Sequence, residues 1–289
     1  MNTMLKSAGL ALGLVLAACS SSDDGNGSDG SGRVSFTTWG EDFIEKEIPA
    51  DVAGGWTIRY NRFLVVFRNI KVADANDKVA DEMPESKLFD MKSPGVKSIV
   101  IFNNIPAKAW EHVSYEIAPA TGDTIVGDGT DADKQLMVQG GYSVYVDAVA
   151  TNGTTTKKYT WGFKTTTLFA RCKGLLSGKD TDGVVVTNGG TDEPQLTIHG
   201  DHLYYNDLQA KEAKVRFDAM AKADDDGDKD GIITLDELSK VKLAAIPKEN
   251  GPYGTGSATG INDLGAFVTA LSRTVGHFRG EGECFASAK

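Results

Sequence analysis

From Val34 to about Ile198 the chain alternates short runs of strand-forming residues with turn dipeptides, and this rhythm limits the possible folds more than any other feature. In GWTIRYNRFLVVFRNIKVA, Trp56, Ile58 and Tyr60 alternate with other residues, as one buried face of a strand requires. The near-continuous apolar run Phe63 to Phe67 then suits a strand covered on both faces. KSIVIF, WEHVSYEIA, GYSVYVDAVA, KKYTWGFKTT and GVVVTNGG repeat the reading, with Pro94-Gly95, Asn152-Gly153, Asp182-Gly183 and Asn188-Gly189-Gly190 between them. The spacing predicts an antiparallel β-sandwich, with a barrel as the alternative. Asn152-Gly153 predicts a hairpin whose loop is longer than the tightest kind. Glu41 to Glu47 reads as a short helix ended by Pro49, AKAWEHV as a turn of helix entering a strand, and Thr121 to Lys134 as a solvated acidic loop.

After LTIHGDHLYYNDL the character changes. Leu208 to Ala223 is rich in Ala, Lys and Glu, with Val215, Phe217 and Met220 at candidate buried positions, and predicts a helix. Leu235 to Ala245 predicts a second helix stopped by Pro247; Asn262 or Asp263 caps a third that runs to about Val275. The expected class is therefore α+β, a β-rich domain over residues 33–198 followed by a small helical domain over 199–289. A chain of 289 residues, 40% of them hydrophobic, can bury such cores. Its net charge of -10 argues against a nucleic-acid partner and suits divalent cations.

The first residues read as an export signal. Lys6 precedes the apolar run Ala8 to Ala18, which is too short to span a bilayer comfortably and ends in small residues before Cys19. LAAC resembles the lipobox of bacterial lipoproteins. That resemblance implies a signal peptide over 1–18, cleavage before Cys19, lipidation of Cys19 and anchoring to a lipid bilayer. SSSDDGNGSDGSG, from Ser20 to Gly32, has nothing to bury and reads as a flexible tether, so residues 19–32 link anchor and body. Ser20 after the lipidated position favours outer-membrane delivery in the lipoprotein families. Of the three cysteines, Cys172 and Cys284 then remain, and in an oxidising compartment two such cysteines most often pair.

The sharpest chemical signal is DGDKDGIITLDE, Asp226 to Glu237. A hard cation wants six to eight oxygens, which a short peptide supplies only if carboxylates alternate around a sharp turn. The segment resembles an EF-hand calcium loop. By that resemblance Asp226, Asp228 and Asp230 give monodentate carboxylates, Gly231 takes the turn, and Ile232 gives its carbonyl. Thr234 fills the ninth position, Glu237 closes the site, and Ile233 is the apolar residue that pairs with a neighbouring loop. Asp224 and Asp225 stand where many EF-hands carry an aromatic residue. The only partial second loop, TGSATGINDLGA, has Ala266 at the closing position. Single and exported, with six scattered methionines in place of a methionine-rich groove, the hand reads as a constitutive Ca2+ clamp.

TIHGDHLYYND offers a second cluster. His199, Asp201 and His202, with His277 as a further donor, have the chemistry of a zinc or copper site. The competing reading is a domain joint in which Asp201 caps a helix and the histidines bond to backbone. HExxH, a phosphate-cradling GxxxxGK[ST], G-x-S-x-G and CxxC motifs are absent from the sequence. Together the lipobox, tether, β-rich body and calcium loop resemble EF-hand-containing lipoproteins of Gram-negative bacteria. The resemblance implies a non-enzymatic, calcium-binding envelope protein whose β domain binds an unknown protein or small ligand. The alternative is a transition-metal carrier or metal-dependent enzyme using the histidine stretch.

Overall fold

The structure, a computed structural model, describes residues 30–247 and 252–289. The expected signal peptide, Cys19 and residues 20–29 of the tether lie outside these. The first strands are β1 (Ser31–Trp39), β2 (Thr57–Ala73), β3 (Val79–Met83), β4 (Lys87–Asp90), β5 (Lys97–Pro106), β6 (Ala109–Trp110), β7 (His112–Ile117) and β8 (Ile125–Val126). They are followed by β9 (Val144–Asn152), β10 (Thr155–Phe163), β11 (Thr167–Leu176), β12 (Lys179–Asp182), β13 (Val184–Val185), β14 (Thr191–Asp192), β15 (Gln195–Ile198), β16 (Gly276–Phe278) and β17 (Glu283–Ala288). The helices are α1 (Glu41–Glu45), α2 (Asp131–Gly140), α3 (Asp218–Asp226), α4 (Leu235–Lys240) and α5 (Leu264–Leu271). Strand thus dominates, with a small helical part.

Two large sheets carry the fold. In the first, β1 lies between antiparallel β5 on one edge and parallel β14 and β15 on the other, and β16 adds to β15. The second runs β10-β9-β2-β7-β11-β12, with β3 and β4 on β2, β8 on β4 and β17 on β11. Inward residues of both sheets and of α3, α4 and α5 form one continuous apolar cluster. The run Phe63 to Phe67 is covered on both faces, as its composition requires. Phe63, Val65 and Phe67 enter the main core, while Leu64 and Val66 pack with Leu88, Ala120 and Met137 of α2.

α2 occupies the stretch expected to be a solvated loop. Thr130 caps it, accepting from the Asp133 N–H while the Asp133 carboxylate accepts from the Thr130 N–H; Gly141, at φ 64°, closes it. The β9–β10 hairpin is tighter than expected: Asn152 pairs with Thr155, and Gly153 takes φ 57° at the first loop position. The expected tether end is strand from Ser31, because Ser31 and Gly32 pair with Pro106 and Ile105.

The helices also differ from their expected bounds. The first begins only at Asp218, since the Asp207 side chain accepts from the N–H groups of Gln209 and Ala210 and holds Leu208 to Ala210 in a turn. The second is α4 plus a 3-10 turn at Leu243–Ala245, and Asp263 caps the third. Nor is residue range 199–289 helical to its end. Beyond α5 the chain returns to both sheets, β16 to the first and β17 to the second. Cys172 on β11 and Cys284 on β17 form a disulfide.

Candidate metal centre

α3 carries Ala219, Met220, Ala223 and Asp224 on its buried side, in phase with Phe217, which packs on Trp56 and Tyr159. The helix continues to Asp226, into what the sequence spacing assigns to the loop. Asp226 is consequently exposed, its carboxylate accepting from Lys222 Nζ at 2.8 Å one helical turn back. Asp224 is fully buried, and its Oδ1 accepts from the Gly231 N–H at 3.2 Å. The loop then folds over side-chain acceptors: Asp228 Oδ1 takes the Asp230 N–H and Asp230 Oδ1 the Ile232 N–H. Lys229 at φ 62° and Gly231 at φ 84° supply the two left-handed turns that reverse the chain.

Thr234 caps α4. Its Oγ1 accepts from the Glu237 N–H at 3.1 Å, and Glu237 Oε2 accepts from the Thr234 N–H and hydroxyl, both at 2.9 Å. The other carboxylate oxygen, Glu237 Oε1, is buried without a hydrogen-bond partner. One oxygen each from Asp224, Asp228 and Glu237 lie within 4.8 Å of one another. Of the expected ligands, the structure therefore gathers Asp228 and Glu237. Asp224, which the spacing does not assign to the loop, joins them; Asp226 pairs with Lys222 at the surface, Asp230 Oδ1 accepts from the Ile232 N–H, and Thr234 caps α4.

The loop's neighbour is a strand of the β body. Lys158 on β10 bridges Ile232 in parallel, its N–H donating to the Gly231 carbonyl and its carbonyl accepting from the Ile233 N–H, both at 2.8 Å. Trp161 Nε1 donates to the Ile233 carbonyl at 2.9 Å. TGSATGINDLGA does not play this part; Asn262 and Leu264 instead bond to Leu243 and Val241 beyond α4. Lys157 is in register with inward Tyr159, Trp161 and Phe163, so its ammonium is buried. It pairs with Asp224 and, at 2.6 Å, with Asp225. Burial works against its charge, but hydrogen bonds to Asp224 and Asp225 outweigh burial and raise its pKa. Lys157 was missed by sequence reasoning; its in-phase place in KKYTWGF is the signal that could have found it. Asp224, four residues after Met220 and seven after Phe217, was legible by the same phase argument.

A second constellation forms where β15 ends. His199 follows β15, Asp201 and His202 begin a 3-10 turn, and His277 on β16 pairs with Thr197. Ring centroids lie 5.2 Å apart for His199 and His202, 4.1 Å for His199 and His277, and 4.8 Å for His202 and His277. His202 Nδ1 lies 3.2 Å from Thr274 Oγ1, and Tyr205 donates to Asp201 Oδ2 at 2.8 Å. His199 Nε2 is 3.0 Å from Glu41 Oε1, yet without a well-aligned hydrogen bond; Asp201 Oδ1 and His277 Nδ1 are also buried and unpartnered. Asp201 does not cap its turn through its side chain. Burial, with the charge of His199 beside it, lowers the His277 pKa to about 4. Burial, then His277 and His199, push His202 well down. At His199 burial opposes the charge, but Glu41, Asp201 and Glu281 prevail and raise its pKa.

No protein-family model matches the chain, and neither a curated protein nor a solved structure is significantly similar to it.

Proposed function

We propose that the protein is a calcium-binding, lipid-anchored envelope lipoprotein without enzymatic activity, in which Ca2+ clamps α3 and α4 to the β body. The observation that carries the calcium reading is Glu237 Oε1, a buried oxygen with no donor, on a carboxylate that is gathered with those of Asp224 and Asp228. A buried acceptor left unsatisfied costs about 1–3 kcal/mol, and more when charged, and a cation among these carboxylates would offset that cost. Asp224, Asp228 and Glu237, with the Ile232 carbonyl, would hold the ion; bound calcium supplies positive charge that neutralises the cluster. Lys157 offsets only part of that charge, because it engages Asp224 and Asp225 alone. The lipobox and tether support the anchored location, Cys19 joining the body to a bilayer of a Gram-negative envelope, on the outer-membrane side of the sorting rule. The β-rich body, read as a sandwich, would bind a protein or small ligand.

The test is thermal unfolding of the full-length protein with calcium and with chelator. Calcium at 100 times its dissociation constant should add about 2.7 kcal/mol of stability. Glu237→Gln should remove most of that gain. A melting temperature that ignores calcium in the wild type rejects the clamp.

A further inference from the structure

Three of the protein's four histidines meet at the junction of β15 and β16, on elements separate from the calcium loop. We propose that His199, His202 and His277, with a carboxylate from Asp201 or Glu281, form a binding site for a divalent transition metal of the zinc or copper class. Each carboxylate already lies with two residues of the set: one ligand atom each from His199, Asp201 and His202 falls within 4.8 Å, and so do those of His199, His277 and Glu281.

Packing does not account for the cluster. Seven buried side-chain polar atoms among the described residues have no partner, and three of them belong here: His199 Nε2, Asp201 Oδ1 and His277 Nδ1. Such atoms are normally satisfied, and orphaning three in one place is costly unless something binds there. A cation held by imidazole nitrogens and a carboxylate answers that deficit at once, and for His277 Nδ1 and Asp201 Oδ1 the structure supplies no other partner.

The supporting groups are those that a metal-ligating histidine needs. Thr274 holds His202 through Nδ1, which leaves Nε2 as its donor atom, and Glu41 Oε1, 3.0 Å from His199 Nε2, adds a carboxylate beside the cluster. Ligand nitrogens around a tetrahedral zinc at about 2.0–2.1 Å lie roughly 3.4 Å apart, and each of the two groups that share His199 already brings its ligand atoms within 4.8 Å. Imidazole-rich sites suit zinc and copper, while calcium takes oxygen ligands, so the two centres would not compete for one ion. A cavity of about 600 Å³ lined by His202, Tyr205, Thr274, His277 and Glu281 gives an ion a way in.

The experiment titrates full-length protein, stripped of transition metals and saturated with calcium, with Zn2+ and, separately, Cu2+ by calorimetry. We expect one ion per chain, with nitrogen hyperfine structure in the copper spectrum. His277→Gln and His202→Gln should each weaken binding on the order of 100-fold while circular dichroism stays that of the wild type. His112→Gln, which alters the fourth histidine, should leave it unchanged. Glu237→Gln should abolish the calcium response and keep the transition-metal site, so failure of either reading is seen independently. Absence of stoichiometric binding in the wild type overturns the proposal, as does binding that survives both substitutions or falls equally in His112→Gln.

Discussion

Two residues along a helix turn a side chain by roughly 200°, which is why Asp224 and Asp226 have opposite fates. One is buried beneath the loop and the other is spent on a solvent-exposed pair with Lys222. Surface pairs of that kind contribute little, so Asp226→Asn should leave calcium affinity within a few-fold of the wild type. Asp224→Asn should weaken it at least tenfold. Calorimetric titration decides, and the reverse order would restore the register expected from spacing alone. Glu116 makes a different point. It is buried on β7, where burial works against its charge, but Lys289 and Arg68 overcome this and hold its pKa below the ordinary 4.5. Its folded value is depressed, so its contribution is full above 4.5 and is lost as pH falls through the folded value. The difference in melting temperature between wild type and Glu116→Gln should accordingly shrink as pH drops below that range. A constant difference would show that the pair does not titrate with folding.

At the scale of elements, β10 takes the place that a second, paired loop would fill. The pairing of Lys158 with Ile232 and the bond from Trp161 to Ile233 fix the loop from outside, and Lys157 fixes it from within. Breaking a buried ion pair from one side typically costs about 3–5 kcal/mol, because the remaining charge stays buried. Lys157→Met should cost that much in chelator and clearly less at saturating calcium, when the ion supplies positive charge to Asp224. Chemical denaturation under the two conditions checks it; equal costs would separate the lysine from the metal site. The loop was legible because Gly231, Thr234 and Glu237 act on atoms within a few residues. The burial of Asp224 and Lys157 was legible from phase, but their meeting at the loop was not, because it depends on where α3 stops and on which face of β10 meets it. α2 was hidden for a related reason: its apolar side is short, and the Thr130–Asp133 cap sits inside an acidic, glycine-rich stretch that resembles a loop. The strands were plainer, since alternation is a local property, although the tertiary return of β16 and β17 was not.

For the molecule as a whole, that return makes the helical segment an insertion between strands of a continuous core. The Cys172–Cys284 disulfide closes a loop of 112 residues around it, a span for which the loss of chain entropy on unfolding is worth about 2–5 kcal/mol. Replacing both cysteines with alanine should lower stability by that amount, measured by denaturant titration. It should also leave calcium affinity nearly unchanged, because β10 and the loop hold each other without the bridge. Loss of calcium binding in that variant would mean that the covalent link sets the position of α3.

β1 begins the described chain at its first strand and has both edges filled, by β5 on one side and by β14 and β15 on the other. A pull applied at Gly30 along the strand would load these two rows of hydrogen bonds in shear, many at once, where an edge strand would peel away bond by bond. A body tethered through this end would be gripped at an interior strand, and drag on it would be resisted by both rows of hydrogen bonds together.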